Sequence, residues 1–532
     1  IMYIFKFLFL LFCFFHMSNL AAQTPRTLHN KYQFIDAVSP EHQYLKLVIK
    51  FHDDLPVVSD KGIFLINDSS HQSNSESISR ELYSDIRSIN DLLKQNNLST
   101  SPLFDEDPQV LSEWVRNAEE YWGHTLANLN SYHQVMLNQV DLNAQQLELL
   151  LRDVLEISIV ETAYPETVAL PLLNVIEGIP KPYSCQNEPL DINVGDITGY
   201  QGYRYRPPEG INAAEANSWL GGKGEEIRII DIEGGYWHHR DHKKPIYVTG
   251  HPGYQDHGTM VVGVINAKDN DVGITGIAPK ADIGVRGIYN KNLHEDWIEA
   301  NIDSANVASN IYWGAKHSLK GLVLIELQRP ALKENDHPCS NYSSGALPVE
   351  FWPAEFDVIK AAVGNGVVVV EAAGNGSRNL GHPILNVCNG GCFDKNVRDS
   401  GAIIVAGSES DGLTPMCGFG PKSNYGERVD VHSWGENVAT TSVLKKDIYK
   451  SELLCNNYGY FSGSSSASAI IAGATAILQG VSKAYTSNVK DPLYIRQLLS
   501  KTGVPQNLLD IDGGVLIGTH PDLVSAIKLM LE

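Results

Sequence analysis

The sequence predicts an α/β fold in which an open, mostly parallel sheet is covered by helices on both faces and is preceded by a smaller α+β unit. Three observations support this prediction. The 532-residue chain is longer than one hydrophobic core usually organises. From Gly224 onward, short apolar strands alternate with helical segments. Residues 23–185 have a different pattern, in which a strand, several helices and a returning strand follow one another.

The first 22 residues are predicted to be a secretory signal peptide. Lys6 precedes an apolar run from Phe7 to Phe15, and the small residues Ala21 and Ala22 follow it. This run of about ten residues is shorter than the roughly 20 that a membrane-spanning helix needs, so a permanent membrane anchor is not expected. The protein is therefore expected to be secreted or periplasmic.

Composition and charge narrow the function classes. Hydrophobic residues make up 43% of the chain and charged residues 19%, which is typical of a globular protein. The formal net charge of -21 argues against nucleic acid as a partner, because phosphate contacts need clustered Lys and Arg. Nothing in the composition demands an oligomer, and a monomer is expected.

The cysteines fit an oxidising compartment. Of the seven, Cys13 lies in the signal peptide, which leaves an even number in the exported chain. Six cysteines allow 15 pairings, and the sequence selects none of them. A short loop closed by Cys388 and Cys392 is one hypothesis.

Residues 23–185 are predicted to form the α+β unit. Tyr44–Phe51 alternates along a strand, a helix covers about Ala144–Val154, and the apolar strand Ile157–Ala163 follows it. Residues 180–210 are rich in Pro, Gly, Tyr and Asn and read as a linker or extended arm. The boundary therefore falls near residue 185, and residues 186–532 form the second unit.

The second unit is where the parallel sheet is predicted. Its strand candidates are short, apolar and separated mostly by helical segments. They are Glu226–Asp231, Ile283–Val285, Gly321–Leu327, Val367–Ala372 and Ala402–Ala406.

Two of the four motifs that carry chemistry supply a carboxylate and a base. Asp231 ends a buried strand in Ile229-Ile230-Asp231-Ile232-Glu233-Gly234-Gly235, and polar groups at that edge of a parallel sheet commonly form sites. An Asp after a strand is more often a turn residue. His257 begins a helix in Asp256-His257-Gly258-Thr259, where a purely structural histidine is the alternative.

The other two motifs supply an amide donor and a nucleophile. Asn375 follows the strand Val367–Ala372 in Ala373-Gly374-Asn375-Gly376, and its amide could donate to a developing oxyanion. Ser465 lies in Gly463-Ser464-Ser465-Ser466-Ala467, just before an apolar helical run. A helix N-terminus favours developing negative charge. Nucleophile, base, orienting carboxylate and oxyanion donor are the parts that acyl transfer by serine needs.

In residues and order these motifs resemble those of the subtilases, across about residues 210–530. The match extends to Gly273-Ile274-Thr275-Gly276-Ile277-Ala278-Pro279 and to Ile211-Asn212-Ala213-Ala214. The resemblance implies a doubly wound, mostly parallel, subtilisin-like sheet and a serine endopeptidase acting on proteins or peptides. Asp231, His257 and Ser465 would form the triad, with Asn375 and the Ser465 N–H in the oxyanion hole. Activity is then expected to fade below roughly pH 6, because the base must be neutral.

The resemblance also implies a self-processed zymogen. Residues 23–185 would be a propeptide that assists folding and then inhibits the enzyme, with cleavage between Ala163 and Ile211. No cofactor is required for this chemistry, no metal ligand is assigned, and a structural calcium ion is compatible with the family.

Three departures from the family pattern stand out. The usual Asp-x-Gly becomes Asp231-Ile232-Glu233, with glycine delayed to Gly234, and the proline expected after the serine is Ala469. The usual Ser-x-Gly substrate-pairing segment reads Glu326-Leu327-Gln328. If Glu326 or Gln328 lines the groove, the specificity differs from that of general digestive subtilases.

Other interpretations account for fewer of these motifs. An α/β-hydrolase would use Gly463 to Ala467 as a nucleophile elbow, but no buried strand precedes it. A catalytically silent relative that acts as a binding protein remains an alternative. His238 and His242 are spaced as two metal ligands, but without a third they favour a surface or groove-edge loop.

Overall fold

A computed structural model describes the chain over residues 24–35, 38–40, 42–67, 76–137, 140, 142–171, 175–176, 195–250, 256–288, 306–330, 345–385, 387–388, 391–416, 423–445, 454–507 and 514–532. The predicted signal peptide lies outside these residues. So do Cys185, Cys339 and Cys417, whose pairing therefore stays open. The predicted loop between Cys388 and Cys392 is confirmed by a disulfide with an S–S length of 2.08 Å.

The elements of the described chain are numbered in chain order. The helices are α1 (Glu76–Gln95), α2 (Pro108–Trp122), α3 (Ala144–Glu156), α4 (Ala213–Ala216), α5 (His257–Asn266), α6 (Val307–His317), α7 (Pro353–Gly364), α8 (Ser464–Thr486), α9 (Pro492–Lys501) and α10 (Leu523–Leu531). The strands up to residue 176 are β1 (Tyr44–Phe51), β2 (Val57–Asp60), β3 (Ile63–Ile66), β4 (Thr100–Pro102), β5 (Tyr132–Met136), β6 (Val160–Thr167), β7 (Leu170–Pro171) and β8 (Val175–Ile176).

The later strands belong to the second unit. They are β9 (Arg228–Glu233), β10 (Tyr247–Thr249), β11 (Asp282–Gly287), β12 (Leu322–Ile325), β13 (Leu327–Pro330), β14 (Ala346–Pro348), β15 (Val368–Ala372), β16 (Ile403–Ser408), β17 (Val431–Trp434), β18 (Val438–Lys445), β19 (Leu454–Phe461), β20 (Val504–Pro505) and β21 (Thr519–His520).

The N-terminal unit is a four-stranded sheet of order β4-β5-β1-β6, with α1 and α3 packed on one face and α2 on the other. The predicted strand Tyr44–Phe51 is β1, which pairs antiparallel with both β5 and β6. The returning strand begins at Val160 rather than Ile157, because the Ile157 N–H still bonds back to α3. Both faces of β1 are buried, including Lys50, which pairs with Glu161 at 3.1 Å.

The second face of this small sheet packs on the second unit. Leu45, Val48 and Tyr164 share one hydrophobic core with Ile311 of α6 and Val358 of α7. Burial of apolar side chains from both units in a single core is the main attraction between them. The two units therefore pack as one body in this state of the chain.

A buried ion-pair cluster bridges the same interface. The guanidinium of Arg329, on β13, lies 2.6 Å from Glu166 of the N-terminal unit and 2.8 Å from Glu355 of the second unit. All three side chains are buried. These carboxylates raise the pKa of Arg329 despite its burial. The cluster satisfies charges that would otherwise oppose the contact between the units.

The second unit is built on a nine-stranded sheet of order β10-β11-β9-β12-β15-β16-β17-β21-β20. All its pairings are parallel except that of β20 with β21. Ile229 of β9 faces the core formed with α5 and α8, and Ile230 faces the core formed with α6 and α7. Helices cover both faces, so the predicted doubly wound sheet is confirmed.

Helix α8 is the central element of the first of these two cores. Its 23 residues are long and apolar enough to cross a membrane, but all of the most apolar stretch is buried inside the protein. It packs between the sheet and helices α5 and α10. Its first turn reaches the carboxyl edge of the sheet and carries Ser465 there.

The ion-pair cluster gives a stability prediction. Glu166→Ala leaves part of the Arg329 charge uncompensated in the core and should lower the free energy of unfolding by about 3 kcal/mol. Glu148→Ala removes a carboxylate from an exposed pair with Arg152 and should change it by less than about 0.5 kcal/mol. Urea unfolding of the full chain measures both; equal effects of the two substitutions would contradict the prediction.

Candidate active site

Three neighbouring parallel strands end at the site. β9 ends with Glu233, Glu326 directly follows β12, and Asn375 follows β15 by three residues. Helices α5 and α8 begin at the same edge with His257 and Ser464. The carboxyl edge of an open parallel sheet is where such folds gather polar side chains into sites.

A buried hydrogen bond joins Glu233 to His257. Glu233 Oε2 lies 2.6 Å from His257 Nδ1, and the other carboxylate oxygen accepts the Gly234 N–H at 2.6 Å. Both side chains are buried. With Nδ1 protonated and held by the carboxylate, Nε2 of the neutral ring is a proton acceptor.

The prediction that Asp231 orients His257 needs correction. Asp231 lies two residues before Glu233 on the same face of β9, one row deeper in the sheet, with Val285 and Leu324 on the flanking strands. Its two carboxylate oxygens are buried and make no hydrogen bond to any described residue. Burial, and then the charge of Glu233, raises the pKa of Asp231 well above its usual value. Only the last residue of the strand reaches the imidazole.

One sequence signal could have identified Glu233. If glutamate is allowed in place of aspartate, Glu233-Gly234-Gly235 keeps the carboxylate-x-glycine spacing of the family, whereas counted from Asp231 the glycine comes one residue late. The strand period alone does not separate the two residues, because positions 231 and 233 share a face. The two residues differ in their position along β9: Glu233 is its last residue, and Asp231 lies two residues earlier.

Gly258 allows helix α5 to approach this carboxylate. A Cβ atom at position 258 would lie 2.2 Å from the Gly235 carbonyl oxygen and 2.7 Å from Cγ of Glu233. No side chain fits such a distance to backbone without moving the helix. The Phe461 ring packs edge-on against the His257 ring at a centroid distance of 5.0 Å and closes the other side.

Ser465 is the second residue of α8 and is buried. The turn before it needs Gly463, whose φ is 102° and whose missing Cβ leaves room for Nδ2 of Asn375, at 2.7 Å from the Cβ position. Asn375 Oδ1 accepts both the N–H and the hydroxyl of Ser464, at 2.9 and 3.0 Å. The amide nitrogen of Asn375 is thereby turned toward the Gly463 to Ser465 turn. This turn follows Phe461, which contacts His257.

Glu326 and Gln328 point into the protein. Glu326 Oε1 lies 2.7 Å from the Ser468 hydroxyl oxygen, and Gln328 Oε1 accepts the backbone N–H of Asn375 at 2.8 Å. Glu326 is fully buried against α8, and Gln328 helps to fix the loop that carries Asn375. In this state the polar end of neither side chain is turned to an open groove.

Two short strands flank the site with residues from the N-terminal side of the chain. β7 pairs antiparallel with β13, where Leu170 lies opposite Gln328 and Pro171 opposite Leu327. β8 pairs antiparallel with β19, where Val175 lies opposite Phe461. The stretch that follows β6 is therefore anchored on both sides of the site.

The loop after β9 is more buried than a surface or groove-edge loop. His242 is buried and lies 2.7 Å from the Thr441 hydroxyl and 3.0 Å from the Tyr236 hydroxyl. Asp241 accepts the Tyr458 hydroxyl at 3.0 Å, and burial raises the pKa of Asp241 to about 6. Across the described residues, no three or more His, Cys, Asp or Glu side chains cluster so as to hold a metal ion.

Comparisons with known proteins point to one family. The model of the subtilase family matches residues 135–514. The chain is 26% identical over 300 residues to the thermostable alkaline protease of Halalkalibacterium halodurans, covering 55% of this chain and 66% of that protein. It is also 26% identical over 273 residues to the intracellular serine protease of Paenibacillus polymyxa, covering 50% and 66%. The chain thus spans just under two thirds of the length of these relatives.

A solved structure shares the fold. The crystal structure of fervidolysin from Fervidobacterium pennivorans, a keratinolytic enzyme related to subtilisin, superposes with a TM-score of 0.52. The alignment covers 96% of this chain and 65% of that chain, at 16% sequence identity. At this identity the likeness concerns the fold alone.

The close approach at Gly258 gives a second stability prediction. Gly258→Ala should lower the free energy of unfolding by about 1 to 3 kcal/mol, because its methyl group meets backbone and the Glu233 side chain. The matched control is Gly459→Ala on β19, where the nearest atom to a Cβ is 3.6 Å away. Thermal and urea unfolding measure both variants; a Gly258→Ala protein as stable as the control would contradict the packing described here.

Proposed function

The chain belongs to the subtilase family, and on that premise we propose that it is an exported serine endopeptidase with a Glu233, His257 and Ser465 triad. The observation that carries this proposal is the buried 2.6 Å hydrogen bond between Glu233 and His257, at the sheet edge where α8 presents Ser465. Substrates are proteins or peptides. The chemistry needs only side chains and backbone of the chain.

The reaction follows the roles that the geometry supports. Ser465 Oγ attacks the peptide carbonyl carbon while His257 Nε2 takes the hydroxyl proton, and Glu233 stabilises the imidazolium that forms. The Ser465 N–H and the Asn375 amide donate to the oxyanion at the N-terminus of α8. His257 then protonates the leaving amine, and water repeats the sequence on the acyl-enzyme.

Self-processing is the second part of the proposal. β7 and β8 occupy positions on β13 and β19 that an extended peptide would take, because a peptide commonly binds by adding a strand to an exposed edge. We propose that the chain cleaves itself between Pro171 and Val175. Residues 172–174 lie outside the described residues. Until it leaves, the N-terminal unit would act as an inhibitor by holding β7 on β13.

Export is supported by the disulfide of Cys388 and Cys392, since disulfides persist mainly in oxidising compartments. The apolar run between Phe7 and Phe15 is the proposed signal. A catalytically silent binding protein is the competing function. It keeps the fold but predicts no dependence of any hydrolysis on Ser465.

The triad assignment predicts a large loss of activity for one isosteric substitution and a small loss for another. Glu233→Gln should lower kcat/KM by about three to four orders of magnitude, because the amide no longer stabilises the imidazolium. Asp231→Asn should lower it by less than about tenfold, since Asp231 does not contact His257. Hydrolysis of a fluorogenic peptide measures both. The assignment fails if Asp231→Asn is the inactive variant.

Processing predicts a mass change that depends on Ser465. Incubated wild-type precursor should lose its N-terminal unit, giving a new N-terminus between residues 172 and 175, and should react with a serine-directed fluorophosphonate. Ser465→Ala should stay full length and unlabelled. Intact mass and N-terminal sequencing provide the readout.

Two other outcomes would contradict different parts of the processing prediction, the cleavage position and the peptidase activity. A new N-terminus after residue 195 would contradict the proposed cleavage position and leave the peptidase assignment standing. Two unprocessed and unlabelled proteins, even after the N-terminal unit is removed with another protease, would favour the binding-protein function.

A further inference from the structure

Three carboxyl groups share the buried face beneath the site. Asp231, Glu233 and Glu326 are each fully buried. Asp231 and Glu233 lie on β9, and the Glu326 N–H donates to the Ile232 carbonyl at 3.1 Å, so Glu326 sits beside Glu233 on the next strand. Among the described residues, Glu233 of this group contacts the His257 ring, 2.6 Å from Nδ1.

The surroundings of Glu326 contain no described lysine or arginine. The charged groups that act on it are the two carboxyl groups of β9, Asp231 and Glu233. Helix α8 presents the hydroxyl of Ser468 to it. Glu371, on the neighbouring β15, lies in register with Ile325 and so faces the other side of the sheet. An ionised Glu326 would therefore be a buried charge without a counterion, next to the carboxylate of Glu233.

The hydroxyl of Ser468 has one proton and three acceptors around it. Its Oγ lies 2.7 Å from Glu326 Oε1 and 3.0 Å from the carbonyl oxygens of both Ser464 and Ser465. If Glu326 carries a proton, it donates to Ser468 Oγ, and the Ser468 proton goes to the helix carbonyls. This arrangement satisfies the group without placing a second negative charge there.

We propose that Glu326 is a positioning residue that works as a neutral carboxylic acid. It donates to Ser468 Oγ and thereby fixes the helical turn that carries Ser465 to the strand beside Glu233. The inference rests on the proposed function, because positioning Ser465 matters only for a nucleophile. Asp231 is a second buried acid on this face and limits how much charge the face can hold.

The direction of the pKa shift agrees with this geometry. Burial, followed by the charges of Asp231 and Glu233, raises the pKa of Glu326 well above its usual value. A carboxyl group whose pKa is raised by folding contributes stability at low pH, and this contribution is lost as the pH rises from the unfolded pKa toward the folded one. Ionisation at alkaline pH would also remove the donor to Ser468.

The matched variants are Glu326→Gln, Glu326→Ala and Ser468→Ala in the full chain. The amide of Glu326→Gln still donates to Ser468 but does not titrate, so its kcat at pH 7 should stay within about threefold of wild type. Glu326→Ala and Ser468→Ala should each lower kcat by about 10-fold to 100-fold with KM within about threefold. The double variant should be no worse than the poorer single variant, because both changes break one connection.

The pH profile separates positioning from a general loss of packing. Wild type should lose activity at alkaline pH, whereas Glu326→Gln should keep it to higher pH. The difference in free energy of unfolding between Glu326→Gln and wild type should also shift in favour of the variant as the pH rises above about 4.5. An infrared carboxylic-acid band should be present in wild type and Asp231→Asn and reduced in Glu326→Gln.

Different results would overturn the role of Glu326 and the proposed function of the chain. A Glu326→Gln protein as impaired as Glu326→Ala would overturn the proposal, because it would require a carboxylate at position 326. Wild-type kcat in Ser468→Ala would overturn it as well. An inactive wild type that fluorophosphonate does not label would reject the proposed function, while the infrared band and the pH dependence of unfolding would still decide whether Glu326 is neutral.

Discussion

The buried hydrogen bond between Glu233 and His257 constrains most of the architecture around it. A 2.6 Å contact between a strand end and a helix start requires that α5 approach β9 closely, and Gly258 is the residue that permits this. The parallel sheet brings the ends of β9, β12 and β15 to one edge, so the carboxylate, Glu326 and Asn375 meet there. Helix α8 then completes the site by entering the same edge through the positive φ of Gly463.

The protein handles buried charge in two different ways. Where the N-terminal unit meets the second unit, and deeper in the second unit, charges are paired: Arg329 with Glu166 and Glu355, and Arg428 with Glu350 at 2.7 Å. Beneath the site, Asp231 and Glu326 have no cation among the described residues. Asp231 and Glu326 are expected to be neutral there, because a second buried negative charge beside the carboxylate of Glu233 would have no counterion. The contrast separates paired charges, which stabilise the core and the contact between the units, from unpaired acids beneath the site.

Much of the fold followed from the sequence, and the site followed in part. The apolar runs ending at Asp231, Leu327 and Ala372 predicted parallel strands, and the predicted membership of the subtilases is confirmed. The assignment of Asp231 as the orienting carboxylate was wrong: strand periodicity puts Asp231 and Glu233 on one face, and only the end of β9 decides which one reaches His257. The burial of Lys50 and His242 was also missed, because their partners Glu161 and Thr441 are distant in sequence.

The most direct test of the central claim is the low-field proton NMR spectrum of the full chain, recorded for wild type, Glu233→Gln and Asp231→Asn. A strong hydrogen bond from the His257 ring to a buried carboxylate gives a far-downfield N–H resonance. Because Glu233 accepts this hydrogen bond, the resonance should be present in wild type and in Asp231→Asn and absent or strongly shifted in Glu233→Gln. A resonance that survives Glu233→Gln and disappears in Asp231→Asn would contradict it.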